Sequence, residues 1–336
     1  MNNFKKVGLS ALAGSLAMVS AHAVEVSIAG SAAVTYATGQ EDTSAATTDG
    51  LSSDTGLDIT ASGELDNGWT VSTSVAAGNT LAATSNQLSV TMGSLGSLQF
   101  NQIAGSKVRG LDDKLPTAYE EVWDGSQMVV GSSIVGDATN DGSISYSLPA
   151  LEMSGASMEL HVDYDPAAEV ADAGTGARAV NAAGVGSGLA YGGSLAFGGL
   201  TLYGAYEEVE YTGAAVTDEK NSSVNVVYAM GPISIGYLSA YSDRSNGDSN
   251  GQDYEGQAYS AAFKVNDDFS VSYATWDDEA RAITATTAVT SQIDAYAVAY
   301  TMGSMAIKLQ HTKTDNADHT LNKDASNTEL AVTFSF

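Results

Sequence analysis

Glu329-Leu-Ala-Val-Thr-Phe-Ser-Phe336 closes the chain, and its alternation decides the fold. Leu330, Val332, Phe334 and Phe336 fall on one face of a strand. Glu329, Ala331, Thr333 and Ser335 fall on the other, because successive strand side chains point to opposite sides. The strand is apolar on one face and polar or small on the other. The same pattern runs back through the chain, in Trp69-Thr-Val-Ser-Thr-Ser-Val75, Met158-Glu-Leu-His-Val-Asp-Tyr164, Ile233-Ser-Ile-Gly-Tyr237, Phe269-Ser-Val-Ser-Tyr273 and Met305-Ala-Ile-Lys-Leu309. Counting such runs predicts about 16 strands.

Tight turns such as Asp66-Asn-Gly68, Gly198-Gly199, Gly231-Pro232 and Gly303-Ser304 carry the residues that hairpin geometry selects. They alternate with longer connections rich in Asp, Asn, Gly, Ser and Thr, at 38–53, 78–86, 103–142, 165–187, 212–220, 243–253, 278–290 and 315–326. Pro116, Pro149, Pro166 and Pro232 all fall at strand ends or in connections, where a missing N–H does no harm. Tyr164, Tyr228, Tyr237, Tyr259, Tyr273 and Tyr300 share parity with the apolar face and lie toward strand ends, as an interfacial aromatic belt would. A soluble sandwich or solenoid would instead bury these rings. No repeat of fixed period supports a solenoid.

At the other end, Lys5 and Lys6 precede an apolar stretch from Val7 to Val19, and Ala21-His22-Ala23 has the small-x-small form of a cleavage site. The run is short of the roughly 20 residues a spanning helix needs. Residues 1–23 therefore read as a cleaved export signal, leaving 24–336 as one domain. The chain holds 13 Lys and Arg against 40 Asp and Glu, and both signal charges are basic, so the mature balance is 11 against 40, a net −29. Such acidity argues against nucleic acid, whose phosphates need Lys and Arg. With no Cys, disulfides, thiolate nucleophiles and Cys-bound zinc are excluded. Apolar residues make up 43%, which looks soluble. A barrel in lipid hides its character in the same way, since lipid-facing and lumen-facing residues average out.

An exported chain of alternating strands that ends in Phe resembles a Gram-negative outer-membrane β-barrel. The longest strand-free stretch, 103–142, follows the fifth strand, at the place of the third external loop. In this the chain resembles the general diffusion porins: trimers of 16-stranded antiparallel transmembrane barrels with short periplasmic turns, long external loops and an inward-folded third loop. The resemblance covers nearly the whole chain and is stronger in architecture than in motif, because the loop lacks the Pro-Glu-Phe-Gly-Gly signature of enterobacterial porins. It implies passive diffusion of ions and small hydrophilic solutes, an outer-membrane location, a homotrimer, and contact with outer-membrane lipid and lipopolysaccharide.

By position in that loop, Asp112, Asp113, Glu120, Glu121 and Asp124 are candidates for an acidic constriction, since rows of carboxylates favour cations in a pore. An exposed acidic loop is the alternative, but Tyr119, Val122 and Trp123 make too apolar a cluster to leave wet. No Lys or Arg occurs from Val24 to Ser106, so the basic early strands of many family members are missing. Basic partners must come from Lys107, Arg109 or Lys114 in the loop, or from Lys308, which takes lumen parity between Ile307 and Leu309. By the same parity Glu25, Asp58, Glu64, Glu159, Asp163 and Glu329 face water. Lipid-facing charge near the midplane would cost about 2–4 kcal/mol. The expectation is a cation-preferring channel. An adhesin or structural anchor with acidic, cation-binding loops is the alternative.

Gly247-Asp-Ser-Asn-Gly251 has the G-x-S-x-G form but lacks the strand-to-helix turn of a hydrolase elbow. Gly174-Thr-Gly-Ala-Arg-Ala179 lacks the βαβ unit of a dinucleotide site. Asn246 to Gly251 opens like a calcium loop, but Gln257 stands where the closing Glu belongs. His161, His311 and His319 have no metal-ligand spacing. No enzyme and no cofactor are expected. The acidic loops remain candidates for weakly held Ca2+ or Mg2+.

Overall fold

The computed structural model describes residues 25–41, 49–102, 105–124, 142–166, 185–211, 218–243, 252–282 and 288–336. The predicted export signal, residues 174–179 and 246–251, and residues 103–104 and 125–141 of the third loop lie outside them.

The described residues form strands β1 (Glu25–Glu41), β2 (Gly50–Glu64), β3 (Thr70–Ala77), β4 (Ala83–Thr91), β5 (Ser97–Gln102), β6 (Ile144–Ser147), β7 (Leu151–Met153), β8 (Ala156–Asp165), β9 (Val185–Phe197) and β10 (Leu200–Tyr211). They continue through β11 (Glu219–Met230), β12 (Ile233–Asp243), β13 (Gln252–Lys264), β14 (Phe269–Ala282), β15 (Val289–Met302), β16 (Met305–Asp315) and β17 (Ala325–Ser335). Each pairs antiparallel with its neighbours in one sheet, and β1 pairs with both β2 and β17, closing a barrel without edges. At the seam Phe336 N–H donates to Gly30 C=O at 2.9 Å and Gly30 N–H donates to Phe336 C=O at 2.7 Å.

The barrel has sixteen strand positions, as expected, with one extra strand. The extra one arises at Pro149. Both β6 and β7 pair with β8, at Tyr146↔Val162 and Leu151↔Met158, and Leu148 N–H still donates to Leu160 C=O at 3.0 Å. Proline has no N–H to continue that ladder, so one wall position is split into two short strands.

Most strands outrun their apolar cores. β1 continues to Glu41, β4 begins at Ala83, and β14 runs to Ala282. The β3–β4 connection is correspondingly short, not the long 78–86 expected. Backbone pairing continues above the apolar zone because a ladder needs no greasy side chain, only a neighbour.

The parity expectation holds. Ile28, Phe197 and Tyr296 stand outward and are 67%, 62% and 54% exposed, while Asn225 and Thr312 stand inward and are buried. Outward tyrosines pair across strands, Tyr191 with Tyr206, Tyr237 with Tyr259 and Tyr273 with Tyr296, at ring separations of 5.0–5.1 Å. The buried apolar clusters lie inside the barrel, where the third loop meets the wall.

Candidate functional site

Residues 105–124 leave β5 and run across the interior. Each stage of the crossing has its own anchor. At the start, Asp163 on β8 accepts hydrogen bonds from Ser106 Oγ at 2.5 Å and Val108 N–H at 2.7 Å through the same Oδ2. Val108 and Leu111 then pack on Ala190 and Ala205 of β9 and β10. In mid-crossing Asn225 of β11 donates to the Asp112 carbonyl at 3.2 Å.

Farther on, Leu115, Val122 and Trp123 cover an apolar floor built from Leu238, Ala240, Ala258, Ala274, Trp276, Ile293 and Ala295. Trp123 meets Trp276 edge-on, with centroids 5.2 Å apart. The wall makes room for this contact. A Cβ on Gly236 would lie 2.5 Å from Pro116 Cδ, and one on Gly192 would lie 2.6 Å from Leu111 Cδ1.

The far end reaches β14, β16 and β17. Ala118 N–H donates to Ser272 Oγ at 2.8 Å, and Tyr119 Oη donates to Glu329 Oε1 at 2.5 Å. Glu120 N–H donates to Gln310 Oε1 at 3.1 Å. Lys308 Nζ stands 5.2 Å from the centre of the Tyr119 ring, within cation–π range.

The predicted site residues separate into groups. Asp113, Glu121 and Asp124 come together, with the Glu121 carboxyl sharing hydrogen bonds with the other two. Burial first, and those carboxyl contacts second, push Glu121 up to about 9. Glu120 lies with Tyr119, Glu329 and Lys308, and its carboxyl is raised mainly by burial and then by Glu329. Tyr119 is raised by burial and by its bond to Glu329. Asp112 turns to the wall instead. It is 3% exposed, and burial pushes it up to about 8 despite the opposing pull of Arg109. Lys107 and Arg109 are exposed near the start of the crossing, and Lys114 is half-buried.

Among the described residues, Lys308 and the rim residue Lys264 are the Lys or Arg on strands with inward parity. Glu159, Asp163, Asp165, Glu207, Glu219, Asp278 and Glu329 share the inward parity. No group of three or more His, Asp or Glu among the described residues is placed to hold a metal ion.

Sequence reasoning missed Asn225, Ser272 and Gln310, which hold the loop by polar contacts from strands far away in the chain. It also passed over the alanines of inward parity, Ala258, Ala274, Ala295, Ala297 and Ala299. A run of small apolar residues facing a wet interior signals that something covers them.

A family profile described as Gram-negative porin matches residues 8–258. No curated protein sequence matches the chain. Among solved structures, an anion-selective porin from Comamonas acidovorans superposes with a TM-score of 0.68 at 12% identity, covering 94% of this chain and 100% of that one. OmpF of Salmonella typhi gives 0.68 at 11% identity, over 93% and 97%. The trimer form of OmpT, an outer-membrane protein of Vibrio cholerae, gives 0.59 at 14% identity, over 94% and 100%. At these identities the likeness carries the fold.

Proposed function

The chain belongs to the Gram-negative porin family, a family of outer-membrane β-barrels, and we propose that it forms a water-filled, cation-preferring channel for passive diffusion of ions and small hydrophilic solutes. The observation that carries the reading is the grouping of Asp113, Glu121 and Asp124 on a loop that crosses the barrel interior. Asp113 and Asp124 bring the negative charge that attracts cations and repels anions at a narrowing, and Glu121, raised to about 9 and so protonated at neutral pH, bridges them by hydrogen bonds. The inward wall offers little opposing charge, since Lys308 is spent on Tyr119 and Glu120. The likeness to the anion-selective porin bears on the fold and not on the charge of this lumen.

A homotrimer completes the reading, supported by the trimer form among the structural neighbours. The outer wall supports it as well. Every strand from β9 to β15 carries a tyrosine with outward parity, whereas β2, β3 and β4 carry no aromatic residue at all. A belt of interfacial rings suits lipid, and a wall without one suits the neighbouring copy. Residues 1–23 would direct export and be removed.

Reconstitution in a planar bilayer tests the proposal. Stepwise openings in multiples of three are expected from the purified protein. A folded barrel that passes no current would sink it.

A further inference from the structure

Gln310 stands inward on β16, 3% exposed, and among the described residues its carboxamide bonds to loop backbone. Its Oε1 accepts from Glu120 N–H at 3.1 Å. Its Nε2 donates to Glu121 C=O at 3.2 Å and to Asp124 C=O at 3.1 Å. A carboxamide is the side chain that offers both an acceptor and two donors on one rigid plane. Between the bonded residues the loop makes a turn, closed by Asp124 N–H donating to Glu121 C=O at 3.1 Å. Gln310 therefore grips one turn at its entry, its first carbonyl and its last.

That turn carries two of the three carboxyls that meet, Glu121 and Asp124. The other contacts of the far end act elsewhere. Ser272 holds Ala118, and Glu329 holds the Tyr119 side chain. Val122 and Trp123 supply apolar contact, which attracts without fixing direction.

We propose that Gln310 is a positioning residue that sets where the Glu121 and Asp124 carboxyls stand in the channel, and so sets its ion preference without carrying charge. The inference rests on the channel reading of the previous subsection. Its mechanism is geometric. Three hydrogen bonds to one turn leave it a single orientation, and buried partners lose more than the bonds themselves when the carboxamide goes, because the freed backbone groups must find water.

The test uses Gln310→Met, which keeps length and apolar contact, removes all three bonds and changes no formal charge. Gln310→Glu is the second variant. It keeps an acceptor for Glu120 N–H but turns two donors into acceptors facing carbonyls. Two readouts are taken on the refolded protein: amide hydrogen exchange at Glu120 and Asp124, and the reversal potential in a salt gradient.

Loss of three net hydrogen bonds raises opening of the turn by about tenfold to a thousandfold, so exchange at both amides should rise by at least tenfold in Gln310→Met. The reversal potential should move toward zero although the charge of the lumen is the same. Gln310→Glu should loosen the turn as well. Unchanged exchange in both variants overturns the grip. Faster exchange with an unmoved reversal potential overturns the positioning role and leaves Gln310 a structural contact. If the wild-type protein itself passes no current, the channel reading falls and this role with it, a result separate from either of those.

Discussion

Replacing Leu115 and Val122 together by alanine removes the equivalent of five methylene groups from the seat of the loop. Leu115 is 6% exposed and Val122 2% exposed, both against a floor that includes fully buried Trp276 and Leu238. At about 0.8 kcal/mol per buried methylene the loss is about 4 kcal/mol, and unfilled space adds to it. A change of that size shifts the ratio of docked to lifted loop by roughly a thousandfold. Amide exchange reports such local opening directly. Protection of residues 108–124 in the double variant should fall by at least a hundredfold, while the ladders of β12 to β15 keep theirs. The barrel keeps its strands because every inter-strand bond remains. Equal protection of residues 108–124 in variant and wild type would refute the apolar seat. Equal loss in the loop and the strands would show that loop and barrel open as one unit.

Gly236→Ala should loosen the loop by about 1–3 kcal/mol, as overpacking does, since its Cβ would meet Pro116 at 2.5 Å and Leu115 at 2.8 Å. Gly204→Ala, with nothing within 4 Å of its Cβ, is the control and should be near neutral in the same exchange experiment. The loop should also respond to base. Asp112 rises from 3.8 to about 8 and Glu121 from 4.5 to about 9 when docked. The docked loop thus binds both protons more tightly than a solvated one. That contribution to docking is fully present below about pH 4 and is lost as pH rises through 8 to 9. Current fluctuations should therefore be more frequent at pH 10 than at pH 7, and Asp112→Asn should narrow the difference. Identical traces at the two pH values would rule the linkage out.

The alternation of Glu329 to Phe336 and of its counterparts made the barrel legible, because a period of two needs no tertiary information. Parity placed Lys308, Asp163 and Glu329 inside for the same reason, and the Tyr119, Val122 and Trp123 cluster signalled an inward loop. Strand lengths were misread where Ser, Thr, Gly and Asp continue the ladders beyond the apolar zone. The sorting of the loop acids was hidden too. Asp112 and Asp113 are neighbours of one chemical type, yet one turns to the wall and the other to Glu121 and Asp124, a choice made by backbone direction. Gln310 was invisible because it meets Glu120 across 190 residues of chain, a contact that only the closed barrel creates.

The most direct test of the account is the reversal potential of the reconstituted channel in a KCl gradient, measured for the wild type and for Asp113→Asn/Glu121→Gln/Asp124→Asn. The account predicts potassium preference in the wild type and a clear shift toward zero in the amide variant. Chloride preference in the wild type, or the same reversal potential in both, would contradict it.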